Sequence, residues 1–224
     1  RCSYAEFRGD RVPIADDASR QVHMVVDEML EDGMKVIAVA CKMLYKDSLA
    51  PEDEQELTLL GYLAFFDAPK KSAASAIEKL QERNVSIRVL TGDQMGVALS
   101  ICRRLNIPTE HVMTGADLAT ISDNDLPVAV EHTNIFAELS PRQKAMIVEI
   151  LQTNGHCVGF LGDGLNDLPA VIQADVGISV ENAAEAVKES ADVILLKKDL
   201  NVLEEGILEG RKAFANMTKY IKIT

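Results

Sequence analysis

Three short stretches of this 224-residue chain place reactive side chains directly behind apolar runs. In "FLGDGLNDLPA", Asp163, Asn166 and Asp167 follow the run "HCVGFL". Thr91-Gly92-Asp93 follows "SIRVL", and Lys144 lies one turn into the helical segment after "NIFAEL". Taken singly, each has an ordinary explanation. Asp93 and Asp163 are short polar residues of the kind that cap helices, Asp-Gly is a common turn dipeptide, and Lys144 fits a solvated helix lysine. Taken in order, a hydroxyl in a glycine turn, a lysine and two acids four residues apart match a phosphoryl-transfer site. The Thr91 hydroxyl and nearby N–H groups can bind phosphate oxygens while Lys144 neutralises their charge. Asp163 and Asp167 can hold Mg²⁺, which prefers few carboxylates together with water and a phosphate oxygen. Catalysis of this kind is mainly positioning and electrostatics. The glycines let backbone approach the phosphate, and Pro169 stiffens the start of the next helix.

The spacing of apolar residues predicts the elements that must position these groups. Residues 16–32 carry a helical stripe of Val22, Val25, Val26, Met29 and Leu30, closed by Gly33 where a left-handed cap is wanted. The strand-like runs "KVIAVACKML" and "LTLLGYLAFF" follow, giving an αββ unit too short to be a domain by itself. From Asp67 onward helices alternate with strands: "KSAASAIEKLQER", "VSIRVL", "QMGVALSICRRL", an irregular acidic patch, "NIFAEL", "PRQKAMIVEILQTN" and "HCVGFL". Two short βα repeats through "ADVGIS" and "ADVILL" lead to one long helix from about Leu200 to Thr224. Strands apolar on both faces and separated by helices predict a parallel sheet covered on either side. In such sheets ligands sit beyond the carboxyl ends of the strands, where all three polar stretches fall.

Composition narrows the function classes. Apolar residues make up 47% of the chain, enough for a core. The net charge of −12 argues against nucleic acid, whose binding runs on Lys and Arg. The four cysteines and four histidines show neither CxxC pairing nor metal-ligand spacing. No apolar run approaches a membrane span and no signal peptide opens the sequence, so the chain reads as a soluble piece.

"TGD", "SPRQK" and "GDGLNDLPA" resemble the hinge and Mg²⁺-binding motifs of P-type ATPases, and "FFDAPK" resembles their interdomain hinge. The closing run from "ADVGISVENAAEAVKESADVILL" onward is similar to the bacterial magnesium-importing branch. The resemblance covers essentially the whole chain. It implies an α/β class: the Rossmann-like parallel sheet of the haloacid dehalogenase fold, with a partial α+β nucleotide-binding domain at the N-terminus. Residues 1–66 would be the end of that nucleotide-binding domain and 67–199 the phosphorylation domain. Residues 200–224 would be a helix leading toward a membrane span. The resemblance also assigns roles. Asp163 would ligate Mg²⁺ with Asp167 in support, and Asn166 would contact phosphate or order the loop. Thr91 and Gly92 would hold the phosphoryl group, Asp93 would help place nucleotide and hinge, and Lys144 would neutralise an aspartyl phosphate. Asp67 would belong to the hinge, and Lys35 would stand near the nucleotide phosphates, where many relatives have an arginine. Two positions depart from the pattern: Ala68 replaces a usual hinge proline, and Leu168 replaces an alanine.

The family's nucleophile, the aspartate of "DKTGT", does not occur in the chain. The expectation is therefore a fragment whose parent acts at the cytoplasmic face of the cell membrane. That parent would use ATP and Mg²⁺ to move a cation, magnesium by resemblance. Its partners would be ATP, the cation and the remaining segments of the same polypeptide. The isolated chain is expected to be inactive and its sheet to have a gap. Two alternatives stay open: a soluble haloacid dehalogenase-type phosphatase, and a non-enzymatic module that binds Mg²⁺ or nucleotide or docks on a transporter. For the phosphatase, Asp10 is a poor nucleophile, because Ile14 stands where a hydroxyl is wanted.

Overall fold

The computed structural model describes residues 1–7, 9–14, 16–31, 33–45, 48, 50–66, 70–197 and 199–223. They belong to two units, Arg1–Ala68 and Pro69–Thr224.

The first unit is a mixed sheet with a helix. Its strands are β1 (Cys2–Phe7), β2 (Asp10–Pro13), β3 (Met34–Cys41) and β4 (Leu57–Phe66), in the order β2-β1-β4-β3. Helix α1 (Asp16–Glu31) half-buries Val22, Val26, Met29 and Leu30 of the predicted stripe, while Val25, also expected there, is exposed. Gly33 follows at φ +82, donating its N–H to Leu30 O, so the helix ends where glycine tolerates the left-handed region. β3 and β4 pair antiparallel, with Lys35 opposite Phe65 and Ile37 opposite Leu63. The β1–β2 hairpin is absent from the sequence reading. β2 is exposed throughout, so no apolar alternation announces it, and a cross-strand cation–π contact of Arg11 over Tyr4 at 3.7 Å helps hold it.

The second unit alternates helix and strand. In chain order it contains α2 (Lys71–Glu82), β5 (Val89–Leu90), α3 (Met95–Arg104), β6 (Val112–Thr114), α4 (Gly115–Leu118), α5 (Leu126–His132), β7 (Ile135–Ala137) and α6 (Pro141–Thr153). There follow β8 (Gly159–Leu161), α7 (Leu168–Gln173), β9 (Val176–Val180), α8 (Glu185–Ser190), β10 (Val193–Leu195) and α9 (Leu200–Ile223). The acidic patch read as irregular contains β6, α4 and α5. Every strand pairing is parallel, as expected, but the strands form two three-stranded sheets, β5-β7-β6 and β10-β9-β8. Neither sheet hydrogen-bonds to the other among the described residues.

The two sheets nevertheless share a core. Leu90 of β5 and Val158, just before β8, each pack against two clusters, one around Phe136 and Ile147 and one around Val148, Phe160 and Val171. Helix α6 bridges them, because its consecutive residues Ile147 and Val148 enter different clusters. On the other side α9 lies along α2 through polar contacts. Arg83 Nε meets the buried Glu204 Oε1 at 3.1 Å, and Arg211 donates to Arg83 O at 2.7 Å. Beyond this seam Phe214, Met217, Tyr220, Ile221 and Ile223 are exposed. Among the described residues, no helix is long and apolar enough to cross a membrane.

The amino ends of the central strands are tied by Glu131. Its carboxylate accepts from Asn154 at 3.0 Å and meets His156 Nε2 at 2.9 Å, while Arg88 donates to Glu131 O at 2.8 Å. The Asn154 bond first, then the bond and charge of His156 and the charge of Arg88, hold the Glu131 carboxyl below the usual carboxylate range. A depressed folded-state pKa contributes stability that is fully present above the unfolded value of about 4.3 and lost as pH falls through the folded value. Glu131→Gln is therefore expected to flatten the acid limb of stability below about pH 4.5. Urea unfolding at pH 7 and at successively lower pH checks this, and parallel profiles for both proteins would refute it.

Candidate functional site

The carboxyl ends of β5, β7 and β8 carry the predicted groups. The strand "VSIRVL" narrows to Val89–Leu90, and the chain then turns through Thr91, Gly92 and Asp93. The Thr91 hydroxyl accepts the Asp93 N–H at 3.0 Å, which leaves its own hydrogen to donate elsewhere. Leu139 N donates to Thr91 O at 3.0 Å and Glu138 N to Asp93 O at 2.9 Å. The loop after β5 is thus stitched to the turn after β7.

That turn starts α6. Ser140 is its N-cap in a reciprocal box with Gln143, and Pro141 occupies the first turn, where its missing N–H costs nothing. The Gln143 side chain also reaches Gly115 O at 2.6 Å. One turn in, Lys144 is buried at 6% exposure rather than solvated, and its Nζ meets Asp167 Oδ1 at 2.7 Å. This pair is the centre of the site.

Asp167 reaches Lys144 because of how β8 ends. After Leu161 the chain passes Gly162, and Leu165–Asp167 forms a 3-10 turn leading into α7. A Cβ on Gly162 would come within 2.6 Å of Asp167 Cβ, so only glycine permits that approach. Gly162 N donates to Ile178 O at 3.0 Å, and the buried Ser179 hydroxyl donates to Gly162 O at 3.1 Å. Asp163 and Asn166 are exposed, and Asp163 O accepts from Ala184 N at 3.0 Å.

The structure therefore brings Lys144 to Asp167, and Thr91 and Asp93 to the turn that begins the Lys144 helix. Lys35 is exposed on β3 of the first unit. Asp67 lies outside the described residues. Asp10 begins the antiparallel strand β2 of the first unit, a place unlike the carboxyl end of a parallel strand. Cys102 is no nucleophile, since burial pushes its thiol up to about 11. Among the described residues no group of three His, Cys, Asp or Glu side chains could hold a metal. The donor set still fits Mg²⁺, which takes one or two carboxylates and completes its shell with water and substrate phosphate. Asp163 is the exposed carboxylate of that set, while one oxygen of Asp167 is held by Lys144. Sequence reasoning missed Gly162, Ser179, Gln143 and Glu138 as supports. Only the capping-box spacing of Ser140 and Gln143 was a visible signal.

The model of the haloacid dehalogenase-like hydrolases matches residues 8–175. The chain belongs to that family. Similarity to curated proteins extends further, over nearly the whole chain. The chain is 43% identical over 225 residues to the magnesium-transporting ATPase, P-type 1, of Escherichia coli strain K12, covering 100% of this chain and 25% of that protein. A Salmonella typhimurium protein of the same name is 45% identical over 221 residues, covering 96% of this chain and 24% of the relative. The calcium-transporting ATPase 1 of Yarrowia lipolytica is 34% identical over 223 residues, covering 97% and 24%. The chain thus spans about a quarter of the length of the curated relatives it matches.

Three substitutions test the pair and its support. Asp167→Ala strands a buried ammonium and is expected to cost about 3 kcal/mol, clearly more than Lys144→Met, which keeps the apolar stem. Gly162→Ala is expected to cost about 1–3 kcal/mol by pushing Asp167 away. Urea unfolding measures all three, and a Lys144→Met loss equal to that of Asp167→Ala would show that the pair does not balance a buried charge.

Proposed function

We propose that this chain is a cytoplasmic piece of a P-type cation-transporting ATPase whose parent moves magnesium inward. Residues 1–66 would be the end of the nucleotide-binding domain, 67–199 the phosphorylation domain and 200–224 a helix leading to a membrane span. The observation that carries the reading is the buried Lys144–Asp167 pair beside exposed Asp163, at the carboxyl ends of parallel strands. Identity of 43% across the whole chain to a magnesium-transporting ATPase supports the branch.

In the parent, ATP would phosphorylate an aspartate, and hydrolysis of that aspartyl phosphate would drive the cation. Thr91 would donate its hydroxyl hydrogen, and Gly92 its N–H, to phosphoryl oxygens. Lys144 has three donors, so it can stay on Asp167 and still meet an arriving phosphoryl oxygen. Asp163 would hold Mg²⁺, with Asp167 in support and Asn166 ordering the loop or meeting phosphate. Bound there, the ion would neutralise phosphoryl charge. Asp93 would help place the nucleotide, and Lys35, exposed beside Phe65, suits a contact with nucleotide phosphates. Asp67 would serve the hinge between the two domains.

The nucleophile would lie on a strand between β5 and β8, the two sheet edges that share a core without sharing hydrogen bonds. The chain alone is therefore expected to show no ATP turnover. A peptide of the parent's "DKTGT" strand, supplied in trans, is expected to slow amide exchange in β5 and β8. Unchanged exchange would displace the strand from that seam. In the full-length parent, Asp163→Asn is expected to abolish Mg²⁺-dependent phosphoenzyme, and undiminished phosphoenzyme would remove Asp163 from the site.

A further inference from the structure

Four non-glycine residues have positive φ among the described residues: Glu56, Asn84, Asn106 and Glu138. Asn84 and Asn106 each follow a helix, where asparagine takes the left-handed region readily. Glu138, at φ +57, follows β7 and has neither excuse. Such a conformation persists only where the surroundings hold it, and it points to a task.

The surroundings are specific. Glu138 N donates to Asp93 O at 2.9 Å, and the next residue, Leu139, donates to Thr91 O at 3.0 Å. Glu138 Oε1 accepts the Met95 N–H at 3.2 Å, at the first residue of α3. That helix has no cap of its own, because the Gln94 side chain makes no capping bond. A carboxylate at a helix N-terminus also meets the favourable end of its dipole. The Glu138 carbonyl lies 2.6 Å from where a Cβ on Gly115 would stand, so the turn is closed from the far side too. Two residues on, Ser140 caps the helix that carries Lys144.

We propose that Glu138 is a positioning residue. Its left-handed backbone and its carboxylate clamp the Thr91–Asp93 loop and the start of α3 against the turn that begins α6. The clamp fixes the Thr91 hydroxyl and Gly92 amide relative to Lys144, and in this it rests on the phosphoryl-site reading above. An ordinary helix cap would come from Gln94. Here the cap comes from the strand-to-helix turn that sets where Lys144 starts, so one side chain ties two parts of the site together.

The test uses the ¹⁵N-labelled 224-residue chain, first in phosphate-free buffer. Glu138→Ala is expected to speed amide exchange at Met95 and Leu139 by about fivefold, the scale of a lost helix cap. Glu138→Gln keeps an acceptor and is expected to stay near native. Glu138→Gly relieves the backbone but deletes the carboxylate. It is expected to melt no lower than native and still to exchange Met95 as fast as Glu138→Ala. Native exchange in Glu138→Ala overturns the clamp, as does a Glu138→Gln protein that exchanges and melts like Glu138→Ala. A second titration adds inorganic phosphate with Mg²⁺ and follows the Gly92 amide. A midpoint raised about fivefold in Glu138→Ala supports positioning of the site. Faster exchange with an unchanged midpoint overturns that role. A native chain whose Gly92 amide ignores phosphate overturns the phosphoryl-site reading instead, a failure told apart because the exchange data contain no phosphate.

Discussion

A buried lysine ammonium is costly unless a carboxylate meets it, and much of the second unit is arranged to satisfy that one charge. Lys144 lies at 6% exposure with Asp167 at 2.7 Å. For Asp167 to be there, β8 must be followed by a residue without a side chain, which is Gly162. The chain must then tighten into a 3-10 turn rather than run straight into α7. Ser179 of β9 holds the Gly162 carbonyl, so the neighbouring strand fixes the height at which the turn begins. On the other side, the Ser140–Gln143 box sets the first residue of α6 and hence the level of Lys144. The pair is therefore a register mark between a helix and a strand end.

Apolar burial, rather than that charge, explains why the sheets hold together without a continuous ladder. Parallel strands put their carboxyl ends on one side, and α6 packs Ile147 and Val148 into different clusters. Burial along α6 thus joins the two sheets, while backbone pairing stops at β5 and β8. Sheet edges carry unpaired N–H and C=O groups, and two of them facing a shared core form an unusual seam. Thr91 leaves one side of that seam and Asp163 the other. Hydrophobic packing thus places the polar ends on one side although the two sheets share no backbone ladder among the described residues.

Long amphipathic and apolar segments were legible in the sequence. α1, α2, α3, α6 and α9 stand close to where periodicity put them, since each has enough turns for its stripe to outweigh local noise. The runs "VSIRVL" and "HCVGFL" were read as full strands, yet only Val89–Leu90 and Gly159–Leu161 pair. A run of apolar residues marks burial, and pairing depends on a neighbour that the run does not specify. The short elements between residues 112 and 132 stayed hidden for the opposite reason. Each buries only one or two apolar side chains, Leu118 in α4 and Val130 in α5, too few for a stripe to show, and capping bonds such as Asp117 with Thr114 add to their order. Within the site, the residue types were visible, and the Lys144–Asp167 contact was not. Lys144 looked as much like a solvated lysine as a buried one, and only the depth of α6 against the β8 turn distinguishes them.

Charge accounts for the chemistry better than shape does. Grooves alone do not single out the site, although one of 510 Å³ is lined by Arg142 and Gln143 of α6 and Pro169 of α7, next to the pair in sequence. Another of 430 Å³, lined in part by Glu131, His132 and His156, lies at the opposite, amino ends of the strands. The proposed site instead pairs the Lys144 ammonium with Asp167, while Asp93 and Asp163 stand on the loops after β5 and β8, in a chain of net charge −12. An anionic phosphoryl group would meet more negative than positive charge there, and Lys144 is already partly spent on Asp167. Oriented N–H groups and the Thr91 hydroxyl offer partial charges, too little to reverse that balance alone. A divalent cation on Asp163 would reverse it and leave Lys144 to orient the group rather than to attract it. On the proposed reading, the acids of "GDGLND" would suit phosphate only together with a metal, and affinity for phosphate would follow the cation rather than the lysine.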